Sequence, residues 1–215
     1  MINLYGADLF SRADQFKIIR GKNNAPGGEG GVDFDVQERL GAPGLETIGL
    51  EKIDRRHGIC CGITIAWMIG FCHSVQGAQS TAYFDSYFRD VLRFQGAYLK
   101  DNKGNIRSID DFANRNYVHG CSAINGKRSM TSFSVDNLGQ GLPAKYSMYL
   151  GIWKHAIAAG VTSGRFYIMD PNAGLFAYFS QSDFEADMND LIEARRTRKN
   201  QLGNAKISVW SYKKD

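Results

Sequence analysis

Two adjacent cysteines, Cys60 and Cys61, open an apolar run in the stretch RRHGICCGITIAWMIGF, residues 55–71. A buried structural cysteine usually occurs singly inside such a run, where its thiol behaves as a small apolar group. Here the pair follows a charged cluster instead (Lys52, Asp54, Arg55, Arg56, His57). A thiolate in the first turn of a helix is stabilised by free N–H groups and by the positive end of the helix dipole. One helical step turns a side chain by about 100°, so only one thiol can face a given cleft, and the first-turn position favours Cys60.

A cysteine nucleophile also needs a base, and four histidines are available (His57, His73, His119, His155). His155 is the best candidate, because it opens the apolar segment His-Ala-Ile-Ala-Ala, where an imidazole is unusual unless it faces a groove. The next strand-like segment, FYIMD, ends in Asp170 before Pro171, which holds Asp170 in an extended conformation. If a turn near 162–164 makes the two segments antiparallel neighbours, Asp170 can fix the tautomer of His155. The predicted catalytic residues are therefore Cys60, His155 and Asp170.

Each of the three also has a purely structural interpretation. Cys60 could be a buried thiol, and His155 a hydrogen-bonded core histidine. Asp170 could be a turn former before Pro171, in which case Asn172 would orient the histidine. We interpret the other cysteines as structural (Cys61, Cys72, Cys121).

The elements that must position these groups begin with helices. Residues 60–75 are apolar nearly all round and predict a buried central helix. Apolar pairs at three- and four-residue steps predict an amphipathic helix at 79–95, and a capping-box-like sequence opens a shorter one at 108–117. The segments NNAPGGEGG and LGAPG make residues 1–45 a flexible or irregular N-terminal extension, which leaves 46–215 as the folded domain.

After residue 128 the pattern changes to short aromatic and branched segments separated by Gly, Asn and Pro. These predict strands at 130–135, 145–151, 154–159, 164–170, 175–179 and 206–212. Residues 181–199 predict a helix capped at Ser180. Its basic end is interpreted as a solvated complement to the helix dipole (Arg195, Arg196, Arg198, Lys199). Helices followed by an antiparallel sheet define an α+β fold.

Composition excludes several other classes of protein. The chain has 215 residues, 43% of them apolar, which is enough for one domain with a full core. Its net charge of +4 comes from Lys and Arg spread along the chain, so no nucleic-acid partner is expected. The dispersed histidines and the absence of a C-x-x-C pair predict no metal and no cofactor. We expect reduced thiols, no Sec signal peptide and no stable membrane insertion.

The segments that carry these residues resemble papain-like cysteine peptidases. Gly58-Ile-Cys60-Cys-Gly-Ile-Thr, followed by Trp67, is similar to their nucleophile helix. With His155-Ala-Ile-Ala and Asp170-Pro-Asn-x-Gly174-x-Phe176, the chain more closely resembles the YopT/AvrPphB family, cysteine proteases that bacteria inject into host cells. The order of the motifs matches, as do separations of 95 residues (60 to 155) and 15 residues (155 to 170).

The resemblance implies a papain-like fold, in which a central helix carrying the nucleophile packs on an antiparallel sheet. It assigns Cys60 as nucleophile, His155 as base and Asp170 as the residue that orients the base. It further implies a bacterial effector that cleaves a target protein through an acyl-enzyme, is secreted by a route other than Sec, and acts in the reducing, cytosol-like interior of a target cell.

One position departs from the papain pattern. Papain-like enzymes place a glutamine six residues before the nucleophile to donate a hydrogen bond to the oxyanion, whereas Asp54 stands here and can only accept when ionised. The backbone N–H of Cys60 supplies one donor. The second donor is left open among Arg55, Arg56, His57 and a loop that the sequence does not locate.

The same triad is compatible with other reactions. Acyl transfer, deamidation or transglutamination of a target protein uses the same thioester with a different acceptor, and a cell-wall peptidase is a further variant. The non-enzymatic alternative is an inactive binding module of the same fold, and the intact Cys, His and Asp argue against it.

Overall fold

The computed structural model describes residues 2–3, 60–75, 120–153, 155–171 and 174–215. The helices predicted at 79–95 and 108–117 lie outside these residues. So do most of the predicted N-terminal extension, Asn172, and the residues considered for the oxyanion site: Asp54, Arg55, Arg56 and His57.

The described residues form one antiparallel sheet with two helices. In chain order the elements are β1 (Ile2–Asn3), α1 (Cys60–His73), β2 (Cys121–Met130), a 3₁₀ helix (Val135–Leu138), β3 (Tyr146–Gly151), β4 (Ala156–Thr162), β5 (Arg165–Asp170), β6 (Gly174–Tyr178), α2 (Gln181–Arg198) and β7 (Ile207–Lys214). The strand order across the sheet is β1-β6-β5-β4-β3-β7-β2. The predicted α+β class is confirmed. Neither helix of the described part is long and apolar enough to cross a bilayer.

Helix α1 covers one face of the sheet. It is apolar on all sides because nearly every one of its residues is buried. Phe71 lies directly over Gly160 of β4, where a Cβ atom would come within 2.5 Å of the ring. Phe71 also stacks on Trp67 at 4.9 Å and meets the edge of Tyr167 at 5.3 Å. A glycine in a central strand thus lets the helix approach the sheet closely.

Helix α2 covers the opposite face. Its N-terminus is capped as predicted, since the Ser180 hydroxyl accepts a hydrogen bond from the Asp183 N–H at 3.3 Å. Phe184 packs against three aromatic rings of the sheet side (Phe133, Phe166, Tyr178). Strand β4, which follows His155, and strand β5, which ends in Asp170, are therefore held between two helices.

The strand predicted at 130–135 is wrong: the strand ends at Met130 and begins at Cys121. The sequence CSAINGKRSM carries no strand pattern because β2 is an edge strand in which only the first and last residues are buried. Phe133 is buried for a different reason, since Asn189 of α2 bonds both its N–H (2.7 Å) and its carbonyl (2.9 Å). An apolar residue at position 133 therefore reflects packing against α2 and not pairing within a strand.

Two further features were not predicted. Ile2 and Asn3 pair with Ala177 and Phe176 of β6, so the beginning of the predicted extension adds to the edge of the sheet. The interpretation of the basic end of α2 as solvated is wrong for Arg195 and Arg196, which are 9% and 5% exposed.

Candidate active site

Cys60 is the first residue of helix α1, the position that the sequence predicted. The N–H groups of a first helical turn lack helical acceptors and point along the axis, so a negative charge on this sulfur is stabilised. Cys60 is half-buried, whereas Cys61, the next residue of the helix, is only 2% exposed. The Tyr149 hydroxyl donates to the Cys61 sulfur at 3.6 Å. The two adjacent thiols therefore face different surroundings.

His155 lies immediately before β4, at the end of a tight turn from β3. The N–H of Ile152 donates to the carbonyl of His155 at 2.8 Å, and the N–H of His155 donates back at 3.2 Å. Helix α1 is fastened to the same place, because the Thr64 hydroxyl donates to the Ala156 carbonyl at 3.1 Å. These bonds hold the imidazole beside the N-terminus of α1.

Asp170 is the last residue of β5, as predicted. Strands β4 and β5 are antiparallel, with Ala158 opposite Met169, so the end of β5 lies next to the beginning of β4. The Nε2–H of His155 donates to Oδ1 of Asp170 at 2.7 Å, and both residues are buried. Since Nε2 bonds the carboxylate, Nδ1 is the nitrogen left to face the thiol.

The structure thus brings together the three residues that the sequence singled out. The His155 imidazole lies near enough to the Cys60 thiol to shift its pKa, and a side-chain hydrogen bond joins His155 to Asp170. Among the described residues, no group of His, Cys, Asp or Glu side chains is arranged to hold a metal ion.

The electrostatics favour a thiolate beside an imidazolium. Burial raises the pKa of Cys60, but the hydrogen bond and charge of His155, with backbone hydrogen bonds from Ala156 and Cys61, bring that pKa below its ordinary value. Burial lowers the pKa of His155, but its bonds to Asp170 and Cys60 outweigh this and raise it to about 9. The two shifts stabilise the same ion pair.

The other thiols are in different electrostatic settings. Burial and the charge of Cys60 raise the pKa of Cys61 well above its ordinary value. A hydrogen bond with Cys121 lowers the pKa of Cys72 to about 7, while the same contact raises that of Cys121. Cys72 is nevertheless only 1% exposed. Ionisation alone therefore does not separate Cys60 from Cys72; access does.

Sequence reasoning missed two residues that contact the site's supports. Thr64 belongs to the motif that begins at Gly58, and its hydrogen bond to the Ala156 carbonyl explains why a hydroxyl side chain stands at that position. The pKa of Arg195 in α2 is lowered, mainly by burial and also by the charge of Arg198. The charges of Cys60 and Asp170 act in the opposite direction, which shows that Arg195 lies close to both. Nothing in the sequence distinguishes Arg195 from its basic neighbours, because only the fold brings it inward.

An α+β fold that joins a thiol at a helix N-terminus, an imidazole and a carboxylate in series has the arrangement of cysteine peptidases. The chain belongs to the peptidase C58 family, described as Yersinia/Haemophilus virulence surface antigen, whose family model matches residues 76–215. This confirms the predicted relationship to the YopT/AvrPphB-type peptidases. The matched range contains His155 and Asp170 but begins after Cys60, so the position of the thiol is known from the structure.

Among solved structures, the chain is similar to the Pseudomonas avirulence protein AvrPphB, with 18% identity, a TM-score of 0.43, and coverage of 72% of this chain and 90% of that one. The comparison with curated protein sequences gave no match. The predicted arrangement, a helix that begins at Cys60 and packs on an antiparallel sheet, is present in the structure.

Proposed function

We propose that this chain is a cysteine protease that cleaves a target protein through an acyl-enzyme on Cys60. The observation that carries the proposal is the series formed by Cys60, His155 and Asp170, in which the imidazole interacts with the thiol at the N-terminus of α1 and is hydrogen-bonded to the carboxylate. Membership of a peptidase family supports it independently of this geometry.

Each residue has a defined role in the proposed reaction. The Cys60 thiolate attacks the carbonyl carbon of the scissile bond, and the Cys60 N–H stabilises the resulting oxyanion. His155, protonated at Nδ1, gives that proton to the leaving amine and so leaves a thioester. The neutral imidazole then takes a proton from water as that water attacks the thioester, which releases the carboxylic acid and the Cys60 thiolate and so restores the thiolate–imidazolium pair. Asp170 holds the imidazole through Nε2 and stabilises its positive charge.

The proposed setting is the interior of a target cell. The family description refers to virulence, and a virulence peptidase delivered by a route other than Sec would meet host proteins in a reducing compartment. The described cysteines are all free thiols, which fits such a compartment. We accordingly propose a protein substrate, no nucleic-acid partner and no cofactor.

The test combines thiol reactivity with detection of cleavage. Wild-type protein, Cys60→Ala and the matched control Cys61→Ala are each treated with iodoacetamide at neutral pH, and labelling is measured for each cysteine peptide by mass spectrometry. The same three proteins are incubated with a reduced eukaryotic cell lysate, in which newly formed protein N-termini are identified.

We expect Cys60 to be labelled far faster than the other cysteines, and new N-termini to form with the wild type and Cys61→Ala but not with Cys60→Ala. Fast labelling without new N-termini would contradict hydrolysis and favour transfer of the acyl group to another acceptor. Slow labelling of Cys60 would contradict a thiol enzyme altogether.

A further inference from the structure

The turn that delivers His155 to the site has an unfavourable backbone conformation. Ile152 and His155 exchange two backbone hydrogen bonds and so close a two-residue turn between β3 and β4. Its first residue, Trp153, has φ 46°. Tight hairpin turns require this left-handed conformation and normally place Asn, Asp or Gly there, because a bulky side chain is strained by it. Something outside the turn must therefore stabilise it.

Two neighbouring arginines of α2 make those contacts. Nη2 of Arg195 donates to the carbonyl oxygen of Trp153 at 3.3 Å. The guanidinium of Arg196 lies 5.3 Å from the centre of the Trp153 ring. Arg196 is itself fixed by donating to the carbonyls of Thr131 and Ala205. One arginine thus holds the backbone of the turn, and the other holds its side chain.

This pair is built into the fold and is not part of a solvated helix end. Both arginines are buried, whereas Arg198, one turn further along the helix, is exposed. Burying a guanidinium is costly unless its donors are used, so two buried arginines at one turn indicate a structural requirement there. The helix is anchored to the strand that ends in Asp170, since Phe184 stacks on Phe166 at 5.3 Å.

We propose that Arg195 and Arg196 are positioning residues for His155. They hold the Trp153 turn in its left-handed conformation, and this sets where the imidazole lies relative to Cys60 and Asp170. The inference rests on the proposed function, because it concerns how that site is assembled. Arg195 also lies near enough to interact electrostatically with Cys60 and Asp170, so its positive charge and its hydrogen bond must be tested separately.

The experiment measures the rate of Cys60 alkylation by iodoacetamide against pH in the full chain. Arg195→Met removes bond and charge, Arg195→Lys keeps the charge, and Arg198→Met is the matched control on the exposed side of the same helix. Trp153→Asn supplies a residue that accepts the left-handed conformation, and it is made alone and together with Arg195→Met. Circular dichroism and thermal unfolding establish that each variant is folded.

We expect Arg195→Met to move the inflection upwards by about one pH unit, which lowers alkylation about tenfold at pH values well below the inflection. Arg198→Met should behave as the wild type. Adding Trp153→Asn to Arg195→Met should restore most of the loss, because the turn no longer needs the arginine, while Arg195→Lys should restore little. A merely structural arginine would change thermal stability without this pattern of rescue.

Two results would overturn the inference while leaving the proposed function intact: a normal profile in Arg195→Met, or full rescue by Arg195→Lys without rescue by Trp153→Asn. An ordinary thiol profile in the wild type would instead overturn the proposed function. If Arg195→Met does not fold, Trp153→Ala is compared with Trp153→Asn. Both lose the stacking contact, but only Asn relieves the strain, so equal profiles would also overturn the inference.

Discussion

At the scale of single residues, the site depends on a thiol whose charge is stabilised by its neighbours. His155 lies near enough to Cys60 to lower the pKa of the thiol, and its own pKa is raised to about 9, so it remains an imidazolium in the pH range where the thiolate forms. At Cys61, one position further on, burial raises the pKa and so keeps the thiol protonated. The difference between the adjacent cysteines is thus electrostatic as well as steric.

This arrangement predicts a pH dependence. As pH rises, alkylation of Cys60 should increase through an inflection below the ordinary thiol value, because the lowered pKa belongs to the thiol. In His155→Ala the stabilising partner is lost while burial remains, so the inflection should move up to the ordinary value or beyond it. Rates of iodoacetamide labelling between pH 4 and 10 check this. An unchanged inflection in the variant would show that His155 does not activate the thiol.

Removal of the Asp170 carboxylate should lower turnover without unfolding the protein. Its carboxylate accepts the Nε2–H of His155 and stabilises the imidazolium, so Asp170→Asn should lower Cys60-dependent cleavage by orders of magnitude, roughly 10³- to 10⁴-fold. Asn172→Ala should cost much less. Cleavage rates of the two variants are compared, with circular dichroism as the control for folding, to decide which residue orients His155. The reverse order of effects would make Asn172 the orienting residue and weaken the assignment of Asp170.

At the scale of elements, α1 is positioned by its close contact with β4. The Phe71 ring occupies the space over Gly160 that a side chain would need, and Thr64 bonds the backbone at Ala156. The helix therefore cannot shift along the strand without breaking packing at one end and a hydrogen bond at the other.

Gly160→Ala should accordingly destabilise the protein. The new methyl group would meet the Phe71 ring at 2.5 to 2.7 Å, and overpacking of this kind costs about 1–3 kcal/mol. Gly126→Ala in β2 is the matched control, since nothing lies within 4 Å of its Cβ position, and it should be neutral or slightly stabilising. Urea unfolding of both variants measures the difference. Equal stabilities would mean that α1 adjusts freely over the sheet.

The sequence predicted those elements whose patterns are local. Helix α2 with its Ser180 cap and strands β3, β5 and β7 follow from apolar periodicity and turn residues, and the observed bounds lie close to the predicted ones. The three site residues could be singled out because each stands in an unusual local context. Strand β2 could not be predicted because an exposed edge strand has no alternating pattern. The burial of Arg195 could not be predicted because it depends on a turn some forty residues earlier in the chain.

At the scale of the whole molecule, the sheet joins segments that are far apart in the chain. The C-terminal strand β7 lies between β3 and β2, so neither neighbour has its full set of partners until the end of the chain is in place. Helix α1 crosses the centre of one face, with Cys61 and Cys72 between helix and strands. Cys72 contacts the Ser147 hydroxyl of β3 at 3.1 Å and the Tyr212 carbonyl of β7 at 3.8 Å.

This topology predicts that α1 and the sheet unfold as one unit. In the Cys60→Ala background, Cys72 reports separation of the helix from the sheet: its thiol has a pKa of about 7 yet is 1% exposed, so access limits its reaction. Brief iodoacetamide pulses along a urea gradient should label Cys72 with the same midpoint as the loss of the far-ultraviolet circular dichroism signal, because coincident transitions are the mark of two-state unfolding. Cys61, which is buried on the same helix, should follow the same curve and serves as the internal control. Labelling of both cysteines at clearly lower urea would show that α1 detaches while the sheet persists, in which case the helix that begins at Cys60 is a separate and weaker unit.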